Sequence, residues 1–128
     1  MEYKELISAA IKAKENAYAP YSKFKVGAAI LTKSGKIFTG VNIENASFSA
    51  TIFAERTAIF KAVSEGEREF AALALIGGRK NEICYPCGIC RQVLSEFCNE
   101  NMPIIIIKNE NEYEELKLAD LLPFAFGL

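Results

Sequence analysis

The sequence has no histidine and no tryptophan, only 4 prolines and 2 methionines, and almost no charge imbalance. Without histidine, both the usual neutral-pH base and the commonest metal ligand are missing, so proton transfer falls to carboxylate, tyrosine, lysine or thiol groups. Lysine and arginine total 15 against 16 acidic residues, a net charge of -1. No basic stripe stands out along the chain, which argues against a nucleic-acid partner, because such binding needs a cationic face dense enough to release counterions. Long hydrophobic runs are lacking too. Phe70 to Gly78 and Met102 to Ile107 are the longest, far short of the ~20 residues of a membrane crossing. The opening Met1-Glu2-Tyr3-Lys4-Glu5 has no basic-then-apolar order of a signal peptide. The expectation is a cytoplasmic protein with no membrane partner.

What is present describes a packed protein. Of 128 residues, 51% are hydrophobic and 24% charged, the balance of a globular chain, and the length suits one domain over residues 1–128. Tyr3, Leu6, Ile7, Ala10 and Ile11 recur at helical spacing, predicting a helix from Glu2 to Ala17 that ends before Pro20. Phe24 to Leu31 and Lys36 to Ile43 flank Lys33-Ser34-Gly35 and read as an antiparallel hairpin. Thr51 to Glu65 reads as a helix with Thr51 as its N-cap and Gly66 as its stop. Phe70 to Ile76 and Ile104 to Ile107 read as buried strands, with a helix from Cys87 or Gly88 to Asn99 between them. Tyr113 to Leu118 suits a strand and Leu118 to Leu122 a helical turn before Pro123.

The middle of this order is strand, helix, strand, helix, strand. Right-handed crossovers would start both helices at one edge of the sheet, beyond the strands' carboxyl ends. That predicts Phe53-Ala54-Glu55 close to Cys87-Gly88-Ile89-Cys90. Thiols at a helix N-terminus are expected to have lowered pKa and to suit a soft cation. Cys87 and Cys90 are three apart and share a helix face, as two ligands of one zinc would. A redox pair and two incidental core cysteines remain open beside the metal reading. Taken singly, other positions are equally open: Glu55 as an ordinary first-turn acid, Asn42 and Glu44 as turn residues, Phe24 as core, Arg56 as a partner of Glu55, Phe126 as a plug.

Several stretches together carry more. They are Ala19 to Ala29, Asn42-Ile43-Glu44-Asn45-Ala46-Ser47, Ala54-Glu55-Arg56-Thr57-Ala58, Pro86-Cys87-Gly88 with Cys90-Arg91-Gln92-Val93-Leu94, and Leu121-Leu122-Pro123 ahead of Phe126. In this order the chain resembles the small homotetrameric cytidine deaminases over nearly its whole length, and its proline before C-x-x-C with a non-ligand glutamate fits the zinc-deaminase signature. The resemblance implies a three-layer αβα fold with a mixed five-stranded sheet, and hydrolysis of cytidine or deoxycytidine to uridine or deoxyuridine in pyrimidine salvage. It implies zinc on Cys87 and Cys90, water at the open position, and Glu55 as the proton shuttle between water, pyrimidine N3 and departing ammonia. By the same resemblance Asn42 and Glu44 hold the ribose, Phe24 and Ala54 line the base site, and Phe126 stacks on the base from a neighbouring subunit. Arg56 matches a residue that donates toward the thiolates. Blasticidin-type and base-editing deaminases share the signature, and the sugar-contacting pair favours a free nucleoside.

One position departs from the pattern. Two residues before the glutamate, where the family has cysteine or histidine as third zinc ligand, this chain has Phe53. Structural zinc contributes ~10 to 16 kcal/mol over all its ligands, so losing one is expected to cost several kcal/mol of affinity. Cys84 is separated from Cys87 by Pro86 and the helix start, Cys98 lies two turns past Cys90, and Glu55 on the metal would use up the shuttle. Two expectations follow: a working deaminase with a makeshift third donor, or a deaminase-fold nucleoside-binding or assembly protein with weak or no turnover. Zinc well under one per subunit, restored by Phe53→Cys, is the corresponding expectation.

Overall fold

The computed structural model describes residues 3–128; the predicted helix start at Glu2 lies outside them. Helix α1 (Lys4–Lys14) buries Leu6, Ile7 and Ala10, the face read from their spacing. It stops three residues before Ala17. The N–H groups of Glu15, Asn16 and Ala17 bond three residues back, to Lys12, Ala13 and Lys14, which tightens the last turn and leads the chain off the helix.

Strands β1 (Val26–Thr32) and β2 (Ile37–Val41) form the expected antiparallel hairpin. Phe24 lies ahead of β1 and is not part of it. Helix α2 (Ala54–Ser64) starts later than predicted, and Thr51 is not its cap. Ile52 exchanges two backbone hydrogen bonds with Ile43, at 2.9 and 3.0 Å. That bridge holds residues 51–53 extended, so the first helical residue is Ala54, and Thr51 Oγ1 accepts from the Asn45 N–H instead. Strand β3 (Phe70–Gly77), helix α3 (Gly88–Phe97), strands β4 (Pro103–Asn109) and β5 (Glu112–Lys117), and the short helix α4 (Leu118–Leu121) complete the order. A short 3-10 turn at Phe48–Ala50 has no counterpart in the sequence reading.

The sheet order is β2-β1-β3-β4-β5, with β3 and β4 parallel and the other neighbours antiparallel. Period-two alternation divides the strands between two cores. Ala28, Ile30, Leu73, Leu75, Ile104 and Ile106 face α2 and α3. Ala29, Ala72, Ala74, Ile105 and Ile107 face α1. The result is the expected three-layer αβα arrangement.

Two antiparallel steps make β2 run parallel to β3, so β2–α2–β3 and β3–α3–β4 are the two predicted crossovers. Small residues bring α2 close to the sheet: Ala54, Ala58 and Ala62 are all fully buried. A Cβ on Gly40 of β2 would lie 2.4 Å from both the Ala54 carbonyl oxygen and the Ala58 nitrogen. Only glycine admits the first turn of α2 there, which is the turn that carries Glu55.

Candidate active site

Phe53 supplies the N-cap of α2 and Cys87 that of α3, neither with a side-chain capping bond. The first turns of the two helices meet where the Glu55 carboxyl reaches Cys90, as the crossovers predicted. Cys87 Sγ and Cys90 Sγ are 3.6 Å apart. Two sulfurs bound to one tetrahedral zinc at ~2.3 Å stand about 3.8 Å apart, so the pair fits two corners of such a site. Phe53, which borders the same cavity as Cys87, offers only carbon. Phe53 is 40% exposed, and among the described residues no three of histidine, cysteine, aspartate and glutamate are close enough to hold an ion.

Glu55 is 3% exposed. Its carboxyl touches the Cys90 thiol, and burial holds its pKa above the ordinary carboxylate range, against the opposing pull of its own backbone N–H, Cys90 and Arg56. Cys90 is fully buried. Burial first, and then the Glu55 charge and Cys87, push its thiol well above the ordinary value. The lowering expected at a helix N-terminus is thus reversed for Cys90, because desolvation of a thiolate outweighs the field of the first turn.

Arg56 sets its guanidinium 5.4 Å from the centre of the Phe53 ring and also reaches Cys90. It forms no ion pair with Glu55 among the described residues. Its Nε is buried with no acceptor.

Two adjoining cavities open beside this cluster. The inner one, about 410 Å³, is bordered by Phe24, Asn42, Glu44, Phe53, Glu55 and Cys84, with Ser22, Val26 and Tyr85. The outer one, about 600 Å³, is bordered by Glu44, Phe53, Arg56 and Cys87 among others. Phe53 and Glu44 belong to both. Asn42 bridges backbone, accepting from the Val26 N–H at 2.8 Å and donating to the Phe24 carbonyl at 2.7 Å. Each end of its amide keeps one further hydrogen-bonding position. Glu44 accepts from the N–H groups of Tyr21 (3.0 Å) and Ser22 (3.1 Å) and from the Ser22 hydroxyl. The Ser22 hydroxyl, ahead of the other donors, holds its carboxyl below the usual range.

The structure thus brings together Phe24, Asn42, Glu44, Glu55, Arg56, Cys87 and Cys90. Ala54 lies instead in the core behind α2, fully buried. Phe126 borders neither cavity: its ring is exposed and its carbonyl accepts from Gln92 Nε2 at 3.3 Å. Sequence reasoning undervalued Ser22, which fixes Glu44, and Cys84, which shares a cavity with Glu55. The spacing of Cys84 from Cys87 was visible, but Pro86 looked like a separator.

Residues 1–106 match the family model described as the cytidine and deoxycytidylate deaminase zinc-binding region. The chain belongs to that family. It is 51% identical over 127 residues to a cytidine deaminase of Sporosarcina psychrophila, covering 99% of this chain and 93% of the relative. The crystal structure of a cytidine deaminase from Burkholderia pseudomallei superposes with a TM-score of 0.91 at 45% identity, over 98% of this chain and 100% of that one. A cytidine deaminase structure from Mycobacterium tuberculosis gives 0.85 at 38% identity, over 100% and 99%. The family's zinc-binding region makes zinc the cofactor expected of this chain.

Proposed function

We propose that this chain hydrolyses cytidine and deoxycytidine to the corresponding uridines, acting in pyrimidine salvage as a single cytoplasmic domain assembled into a homotetramer. The observation that carries the chemistry is the buried Glu55 carboxyl, touching Cys90 and facing a cavity shared with Phe24, Asn42 and Glu44. A carboxyl whose pKa is raised by burial takes up a proton more readily than an ordinary glutamate, as a shuttle between water and a leaving amine requires. Glu55 would protonate the ring nitrogen N3 as the amino-bearing carbon is attacked, then pass a proton to the amine so that it leaves as ammonia. Cys87 and Cys90 would hold zinc, which when bound supplies the Lewis acidity that makes water a nucleophile at neutral pH.

Asn42 and Glu44 would orient the sugar. The amide has one donor and one acceptor left over, and the carboxylate stays ionised and immobilised by three donors, so ribose hydroxyls find fixed partners. Phe24 would flank the base. The tetramer is supported by apolar side chains left open to solvent, Phe48, Phe124, Phe126 and Leu128, which a second copy would cover. Phe126 would then reach a neighbour's pocket. All four cysteines are free, which suits a reducing compartment.

The test is direct. Zinc-supplemented protein should convert cytidine to uridine with release of ammonia, and Glu55→Gln should lower kcat by about 10²- to 10⁴-fold, the usual contribution of a general acid–base. Absence of uridine at full zinc loading would refute the assignment.

A further inference from the structure

We propose that the groove beside α1 is a second binding site, one that takes the phosphate chain of a multiply charged small ligand, a nucleoside triphosphate or a linear polyphosphate. Six cationic residues border it: Lys12 and Lys14 from α1, Lys25 ahead of β1, Arg79 and Lys80 after β3, and Lys108 of β4. Glu15 and Glu110 border it too, so the lining carries six positive charges against two negative ones, an excess of four. The whole chain has 15 cationic and 16 acidic residues, which leaves nine against fourteen outside the groove, a net of -5. The groove is thus a positive patch on an otherwise acidic molecule, and its field draws anions.

Gathering like charges from four separate segments opposes folding, and the structure does little to offset it. Lys14 Nζ donates to the Gly78 carbonyl and Lys25 Nζ to the Glu15 carbonyl. These bonds tie the end of α1 to the neighbouring segments without cancelling charge. Lys108 meets Glu112 at 3.9 Å, an exposed pair that contributes little. Lys12, Arg79 and Lys80 have no side-chain hydrogen bond or ion pair among the described residues.

The turn carrying Arg79 and Lys80 is braced. A Glu82 carboxylate oxygen accepts from the Arg79 N–H at 2.7 Å, and the Glu82 N–H donates to the Arg79 carbonyl at 3.0 Å. Asn81 is left-handed, with φ 67°, and its side chain accepts from Asn109 Nδ2 at the end of β4, at 3.0 Å. Backbone strain of this kind persists only where surrounding bonds enforce it. Here they keep two free cations at the groove, where a looser turn would let them move apart.

Charge and size define the ligand. A lone phosphate group carries about -1.5 to -2 near neutral pH and would balance only part of the excess, whereas a chain of phosphates matches it. The groove holds about 900 Å³, in the range of small-molecule sites, and Ile11 and Ile76 set apolar surface among the cations for a base to cover. None of its residues borders either cavity beside Glu55, so the site is separate from the nucleoside pocket.

Calorimetry of the full chain with adenosine triphosphate and with sodium tripolyphosphate, metal-free and at low salt, tests this. One ligand per chain is expected, with affinity falling steeply between about 0.01 and 0.1 M salt as the Debye length shrinks from ~30 to ~10 Å. Arg79→Gln with Lys80→Gln should weaken binding by about 10-fold or more without lowering the melting temperature, since hydrogen bonds to charged groups are the strong ones. Glu110→Gln should tighten it. Lys33→Gln with Lys36→Gln, the same charge change on the β1–β2 hairpin, should leave it unaltered. Tighter binding of adenosine triphosphate than of tripolyphosphate supports a nucleotide ligand, and equal binding supports recognition of the phosphate chain alone. No saturable binding of either, an equal loss in both double variants, or displacement by uridine would overturn the proposal. Tighter binding of a single-stranded oligonucleotide than of either probe would overturn it in favour of nucleic acid.

Discussion

Asn42 shows how one side chain can build a site and also serve it. Both ends of its amide are used to hold the Phe24–Val26 backbone, so Asn42→Ala leaves a buried N–H without a partner. That should cost about 1–3 kcal/mol, measured as a lower urea midpoint with an unchanged m-value, together with a raised KM for cytidine. Glu44 is more exposed, and its role depends on Ser22. Because its pKa is lowered chiefly by the Ser22 hydroxyl, its carboxylate persists to lower pH than an ordinary glutamate. Ser22→Ala should raise that pKa, shifting the acid limb of the kcat/KM profile to higher pH. An unmoved limb would mean that Glu44 does not report in catalysis. These residue-scale effects were only partly legible in the sequence, because a local Asn or Glu in a turn looks the same whether or not a cavity stands behind it.

At the scale of elements, the first turn of α2 is set by what lies beneath it. Gly40→Ala would push a methyl group into the Ala54 carbonyl and the Ala58 nitrogen, contacts with backbone that cannot rotate away. The expected loss is about 1–3 kcal/mol or more, visible as a lower melting temperature, and turnover should fall with it as Glu55 shifts. The end of α3 makes a pH-dependent contribution. Burial pushes the Cys98 thiol up from 9.0 to about 12, so the unfolded chain ionises there before the folded one. The stability associated with Cys98 is complete below pH 9 and is lost as pH rises toward 12. Comparing urea unfolding of the parent and Cys98→Ala across that window should show the parent losing more stability; equal slopes would refute it. The element types were read correctly because their periodicities are strong. The start of α2 was misplaced because a tertiary bridge, Ile43 to Ile52, overrode the capping preference of Thr51.

At the scale of the whole molecule, the C-terminal tail leaves apolar side chains open to solvent. Phe124, Phe126 and Leu128 are largely exposed, and the cavity beside Glu55 does not include them. On the homotetramer proposed above, light scattering should give four copies per particle, and truncation after Pro123 should raise KM for cytidine with little change in melting temperature. The charge pattern also emerges only at this scale. No basic stripe was visible along the sequence, yet Lys12, Lys14, Lys25, Arg79, Lys80 and Lys108 border one groove beside α1 together with Glu15 and Glu110, drawn from segments far apart in the chain.

By itself, the sequence determined the order of elements and the approach of Glu55 to Cys87 and Cys90, while the layered sheet was implied by the family resemblance. The first follows from local periodicity and the second from the fixed hand of strand–helix–strand crossovers, and neither requires knowledge of distant contacts. Only the tertiary structure decided that burial raises the pKa of Glu55 and of Cys90, that Ala54 is fully buried in the core, and that Cys84 borders the same cavity as Phe53 and Glu55. The reason is physical: burial and proximity depend on the sum of neighbours from several elements, which no single stretch of chain encodes.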